Sequence, residues 1–289
     1  MLLPRLAPIL FVFLWSTGWI VAKIVAQHAD PLLFLFIRHI LAAAAFTILA
    51  QVVSAPWPAN RSAALHAFVC GIFLHGLYLS ALWWAIGQGV PAGLSGVIAG
   101  LQPLLTGLLA LLLLKEALRL PQILGLAIGF AGILIAVSPQ VMASASAAGG
   151  LGFPILVNLA GMLSVTLGTL YQKRYLGNGD LRTIAVWQYL GAAAVTLPLS
   201  LLLEDQRFDA SLAVFGAMVW SVFGLSMGAV GLLLFLIRRG QVSRAASLLY
   251  MMPPLVAVEA TLLFGEPLTV AMIAGTAIVV LGVYLVNRR

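Results

Sequence analysis

Apolar residues in this chain do not alternate with polar ones at the spacing of a soluble surface; they run on for about twenty residues at a time. The apolar stretches fall at 6–27, 31–53, 64–86, 90–114 and 120–138, and again at 151–171, 181–203, 211–237, 243–264 and 268–287. Turn-forming residues sit between them, at Asp30-Pro31, 55–60, Pro139, 177–180, 204–209 and Glu266-Pro267. Hydrocarbon leaves no backbone donor or acceptor unpaired, and these stretches are too long for barrel strands, so the pattern predicts ten transmembrane helices. Arg5 ahead of the first stretch gives it the look of a secretory leader. No small-x-small cleavage pattern precedes Lys23, so the stretch reads as helix 1.

Composition strengthens this picture. Of 289 residues, 63% are hydrophobic and 8% charged, where a soluble domain carries about a quarter charged residues. The net charge of +7 does not point to nucleic acid, because the basic residues are spread over helix ends and form no single patch. Ten spans put both termini on one side. Taking that side as cytoplasmic assigns it Arg5, Arg61, Lys115, Arg119, Lys173, Arg174, Arg182, Arg238, Arg239, Arg244, Arg288 and Arg289 and leaves Arg207 in a loop opposite. Arg238, Arg239 and Arg244 are expected to meet anionic lipid headgroups. Cys70 is the single cysteine, so an internal disulfide and a cysteine-based metal cluster are both excluded.

The two halves match at a constant offset. Lys23 falls on Lys173, Pro103 on Pro253, Glu116 on Glu266, Gly125 on Gly275 and Gly132 on Gly282, each pair 150 residues apart, and Ala42-Ala43-Ala44 falls on Ala192-Ala193-Ala194. Residues 1–138 and 151–289 are therefore read as two five-helix repeats. An odd number of spans inserts the second copy upside down. The expected fold class is an all-α integral membrane protein of ten transmembrane helices in two inverted five-helix repeats, which permits alternating access if the halves rock about a central site.

At Trp15-Ser-Thr-Gly-Trp19 with Lys23, Asp30-Pro31 and Arg38, the sequence resembles the opening of EamA-type proteins of the drug/metabolite transporter superfamily. The stretch from Gly89 through Ser95 and Gln102-Pro103 to Lys115-Glu116 resembles the fourth helix of that family, and Pro253 to Glu266 its ninth. The resemblance covers essentially the whole chain. It implies ten helices, cytoplasmic termini and, usually, export of amino acids or related metabolites; the expected location is a bacterial inner membrane. Pro253-Pro254 departs from the symmetry, since the first repeat has Pro103-Leu104.

Candidate site residues follow from helix geometry. A proline inside a helix frees the carbonyl four residues earlier, so Pro103 is expected to free Ala99, Pro253 to free Leu249, and Pro254 to free Tyr250. Helices 4 and 9 would then bend around a polar cavity lined by Gln102 and Tyr250. His75 and Tyr78 share one face of helix 3, with Trp83 and Trp84 further along, as an aromatic cleft for an ammonium group or a flat side chain; the competing reading is a core histidine and an interfacial aromatic belt. Trp15 and Trp19, four apart, share a face that is either cavity or lipid. Asn158 and Tyr171 are expected to make structural hydrogen bonds.

Lys23, Arg38 and Glu259 lie within apolar spans, at depths of roughly 6, 11 and 8 Å from the same side when counted at about 1.5 Å per residue. An unpaired charge there costs about 2.5 to 3.5 kcal/mol, which predicts that Glu259 pairs with Arg38 or Lys23 as a gate, a proton-exchanging site or a static ion pair. Glu116 and Glu266 are expected to accept hydrogen bonds from the free amides of the helix that follows each.

Other functions are weaker. Gly93-Leu-Ser95-Gly96 looks like the serine motif of an intramembrane protease, but four small residues arise easily by chance in a glycine-rich helix. No nucleotide or dinucleotide fingerprint and no metal-binding helix pair is present, so neither an enzyme nor a cofactor is expected. A nucleotide-sugar or lipid carrier of the same superfamily is the main alternative; it would want more cations than Lys23 and Arg38. The expected partners are a small-molecule substrate and membrane lipids, and the expected state is a monomer.

Overall fold

In the computed structural model the described residues are 3–114, 120–145, 151–177, 179–229, 231–232 and 251–287. They form ten helical segments: α1 (Leu3–His28), α2 (Pro31–Val52), α3 (Arg61–Gly87), α4 (Ala92–Ala99 continuing as Leu101–Leu114), α5 (Leu120–Ala145), α6 (Gly152–Tyr175), α7 (Leu181–Leu203), α8 (Leu212–Gly228), α9 (Met252–Phe264) and α10 (Val270–Asn287). Seven of them are long and apolar enough to cross a membrane; α8, α9 and α10 are shorter apolar helices within the described residues. Large side chains face outward without cover, among them Leu202, Leu212 and Val270, each about four-fifths exposed or more. In water such a surface would aggregate; in a bilayer it meets acyl chains. The chain is an integral membrane protein.

Local chemistry sets the helix ends. Asn60 accepts from the Ala63 amide, Asp180 from Arg182 and Ser211 from Val214, each satisfying a first-turn donor. Asp30 precedes α2 without capping it. Glu204 does so from across the molecule, accepting from the Leu32 and Leu33 amides at 2.8 and 2.9 Å. Burial pushes the Glu204 carboxyl up, while these two amide bonds act against the rise.

Three proline expectations resolve differently. Helix α4 breaks at Gly100, just ahead of Pro103, as expected for a ring that excludes the bond to Ala99. Pro253 and Pro254 stand in the first turn of the described part of α9, where a missing N–H costs least, and the Leu249 and Tyr250 carbonyls lie outside the described residues. Pro139 does not end α5, which runs on to Ala145; the Ser138 hydroxyl donates to the Ile135 carbonyl at 2.8 Å, the acceptor that Pro139 leaves unused. Two π-helical turns, Ile72–Leu77 in α3 and Trp220–Gly228 in α8, had no signal in the apolar pattern.

Because acyl chains are as apolar as leucine, helices here associate through close backbone contact more than through the hydrophobic effect. Helices α5 and α10 pack antiparallel through glycine. A Cβ on Gly132 would lie 2.8 Å from the Gly275 carbonyl oxygen, and one on Gly282 would lie 2.6 Å from that of Gly125. Helices α2 and α7 are antiparallel too, since Glu204 at the end of α7 caps the start of α2. In α4 and α9, Gly93 meets Ala257 and Gly100 meets Pro253, again in opposite directions.

Candidate functional site

A cavity of about 510 Å³ lies among α1, α2, α3, α4, α6, α7 and α8. Its deep wall includes Trp19, Arg38 and Trp83, and its wall continues to Lys173, Leu176, Gly177 and Leu181 at the α6–α7 turn, where Lys173 and Gly177 are exposed and mark the mouth. Both π-helical turns reach it, the first with Leu74 and His75 and the second with Leu225 and Ser226. A π turn inserts a residue and redirects the side chains beside it, which explains how an otherwise apolar helix brings a polar group to this position.

Sequence-predicted lining residues converge here. Trp15, Trp19, His75, Tyr78 and Gln102 all line the cavity; Tyr250 is outside the described residues. Trp15 is 41% exposed and Trp19 is buried, its Nε1 donating to Ser95 Oγ at 3.1 Å. His75 stacks on Tyr189 with ring centroids 4.8 Å apart. Trp83 lines the cavity and stacks on Phe34, whereas Trp84 turns away to meet Phe153 edge-on. Asn158 donates to Ser95 at 2.8 Å, and Tyr171 is 2.6 Å from His66 Nδ1, so both make the structural contacts expected of them. Ser95 is fully buried, with Trp19 and Asn158 as its partners and not His75.

The expected ion pair is corrected. Glu259 joins neither Arg38 nor Lys23; its Oε1 lies 2.8 Å from Ser16 Oγ. Lys23 pairs with Glu266 at 3.4 Å instead, and Arg38 donates to Ser226 Oγ at 3.3 Å with its guanidinium 5.8 Å over the Trp83 ring. Depth along a helix carries no direction around its axis, so it could not choose the partner. Glu266 caps a different helix from the one expected: both oxygens accept from α4, at the Ala92 and Gly93 amides, each at 3.0 Å. Glu116, its counterpart, is outside the described residues.

The end opposite the mouth is tied shut by polar contacts. Asp30 accepts from the Arg207 amide at 2.8 Å, its own amide donates to the Arg207 carbonyl at 2.8 Å, and His28 lies 3.6 Å from Asp209. With Glu204 on α2 and Lys23–Glu266 on α4, these link the first half of the chain to the second at one face. Sequence reasoning missed Gln188, Tyr189 and Ser226 in the cavity wall. Gln188 and Tyr189 carried a signal, as adjacent polar-capable residues inside an apolar span; Ser226 carried none.

A polytopic helical protein with a closed face, an open face and a polar-aromatic cavity between them has the construction of a membrane transporter. The EamA-like transporter family matches residues 5–138 and again 152–288, and the chain belongs to that family. It is similar to the uncharacterized transporter YvbV of Bacillus subtilis, at 26% identity over 96% of this chain and 89% of that protein. It is also similar to a probable amino-acid metabolite efflux pump of Salmonella typhimurium, at 24% identity over 96% of this chain and 92% of that protein. A solved crystal structure shares the fold with a TM-score of 0.63, at 22% identity over 98% of this chain and 95% of that one.

Proposed function

We propose that this protein is a secondary-active exporter of small metabolites, amino acids or related compounds, that works by alternating access in a bacterial inner membrane. One observation carries the reading: a cavity of about 510 Å³, within the usual range for small-molecule sites, is walled by both halves of the chain, open at the α6–α7 turn and closed at the opposite face. The positive-inside assignment makes the open face cytoplasmic, so this is the loading state of an exporter.

The inverted ten-helix repeat, with units 1–138 and 151–289, is supported by the glycine contacts of α5 and α10. Exchanging each residue with the one 150 positions away turns the Gly125–Gly282 contact into the Gly275–Gly132 contact, which is what a two-fold axis in the membrane plane requires. The π turns obey the same shift, since Ile72–Leu77 maps into Trp220–Gly228. Such symmetry gives the closed face a counterpart that can open in its place. The printed name of the Salmonella relative favours amino-acid metabolites as cargo. A single chain encloses the cavity, which favours a monomer.

Counterflow in proteoliposomes tests this. Purified protein loaded with an unlabelled amino acid it recognises will drive accumulation of the labelled form without added nucleotide. Absence of counterflow across a panel of amino acids and their analogues, from protein that remains folded, rejects the carrier reading.

A further inference from the structure

The cavity holds a positive charge that the rest of the described protein does not neutralise. Arg38 is 5% exposed on the apolar helix α2. Its Nη2 reaches Ser226 Oγ at 3.3 Å, and its Nε has no hydrogen-bond partner among the described residues. The ion pairs found there are Lys23–Glu266, His28–Asp209, Arg182–Asp180 and Arg207–Asp30, and none includes Arg38.

The sequence has little acid to spare. Of its eight acidic residues, four stand in those pairs, Glu204 caps α2, and Glu259 is engaged with Ser16. Asp205 is exposed in the α7–α8 loop, and Glu116 is outside the described residues. Among the described residues lining the cavity none is acidic, and Lys173 at the mouth adds a second cation.

Taking a guanidinium out of water without a counterion is costly, and a chain that keeps one facing a cavity at membrane depth has a use for it. We propose that Arg38 is the anchor for a carboxylate on the transported molecule. The planar guanidinium fork fits a planar carboxylate, and the Ser226 hydroxyl lies beside it as an additional polar group. Trp19, His75, Tyr78 and Tyr189 offer ring surface for an apolar or aromatic body. The substrate class is small monocarboxylates with such a body, amino acids included, and cations that lack a carboxylate are excluded. Lys173 draws anions toward the mouth. This deepens the carrier reading of the cavity and rests on it.

The test compares probes that differ only in the anionic group: 3-phenylpropanoate against 3-phenylpropanamide, and phenylalanine against phenylalaninamide. Binding is followed by tryptophan quenching and by ligand-induced thermal stabilisation. The wild-type protein is expected to bind each carboxylate at least tenfold more tightly than its amide, and R38Q to lose that preference. R38M gives a readout that needs no ligand. Removing an unneutralised buried charge raises the melting temperature of the unloaded protein and abolishes stabilisation by the carboxylate probes. An equal response of the wild type to carboxylate and amide, or a lower unloaded melting temperature in R38M, overturns the proposal. Carboxylate preference without counterflow would sink the transport reading and leave the anchor standing; counterflow with no carboxylate preference would do the reverse.

Discussion

Ser16 has one hydroxyl hydrogen and two oxygen neighbours at 2.8 Å, the Phe13 carbonyl and Glu259 Oε1. If the hydrogen goes to the Phe13 carbonyl, which can only accept, the second contact needs a proton on Glu259. The other oxygen of Glu259 has no partner among the described residues, and no cation stands against the carboxyl there. We propose on this geometry that Glu259 carries an exchangeable proton in place of the ion pair that its depth suggested. The expected outcome for Glu259→Gln is a flattened pH profile of transport in proteoliposomes with normal folding. An unchanged profile would exclude coupling through this carboxyl.

Residue by residue, the sequence showed which side chains share a helix face and not which helix that face meets. Trp15, Trp19, His75 and Tyr78 were legible because spacings of three and four put them together on their own helices. The partners of Lys23 and Glu259 were not legible. From Ser16–Glu259 to Lys23–Glu266 both partners advance seven residues, Glu259 on α9 and Glu266 just past its end, so α1 and α9 run parallel, a regularity that emerges only once they are known to be neighbours.

At the scale of elements, glycine decides which helices touch. A Cβ on Gly275 would sit 2.6 Å from the Gly132 carbonyl oxygen, a backbone atom that cannot yield like a side chain. Gly275→Ala is expected to destabilise the protein by about 1–3 kcal/mol in detergent unfolding measurements. Gly216 in α8 has no atom of the described residues within 4 Å of its Cβ position, so Gly216→Ala, a control of equal size, should leave stability unchanged or slightly raised. Glu204 supplies the cap that Asp30 does not, and Glu204→Ala should cost about 1–2 kcal/mol by the same assay, whereas Asp205→Ala in the neighbouring loop should be close to neutral. The break at Gly100 could be anticipated from Pro103, but the π turns could not. Both conformations suit the same apolar run, and the choice between i+4 and i+5 bonding is made by packing around the cavity.

For the whole molecule, membrane embedding followed from the composition, and the residues that recur 150 positions apart, on which the proposed repeat rests, are visible without tertiary information. The state of the machine had no such trace. Whether the Asp30–Arg207 face or the α6–α7 face is closed depends on contacts between helices far apart in the sequence, which no local pattern encodes. The central claim is that two antiparallel halves hold a cavity open to the cytoplasm and closed opposite. Its most direct test is labelling of single cysteines at Gly177, Ala185 and Asp209, in a Cys70→Ser background, with a membrane-impermeant maleimide. Gly177→Cys and Ala185→Cys are expected to react in inside-out vesicles, and Asp209→Cys only from the outside of intact cells. Labelling of positions 177 and 209 from the same side, or of position 185 from neither, would contradict it.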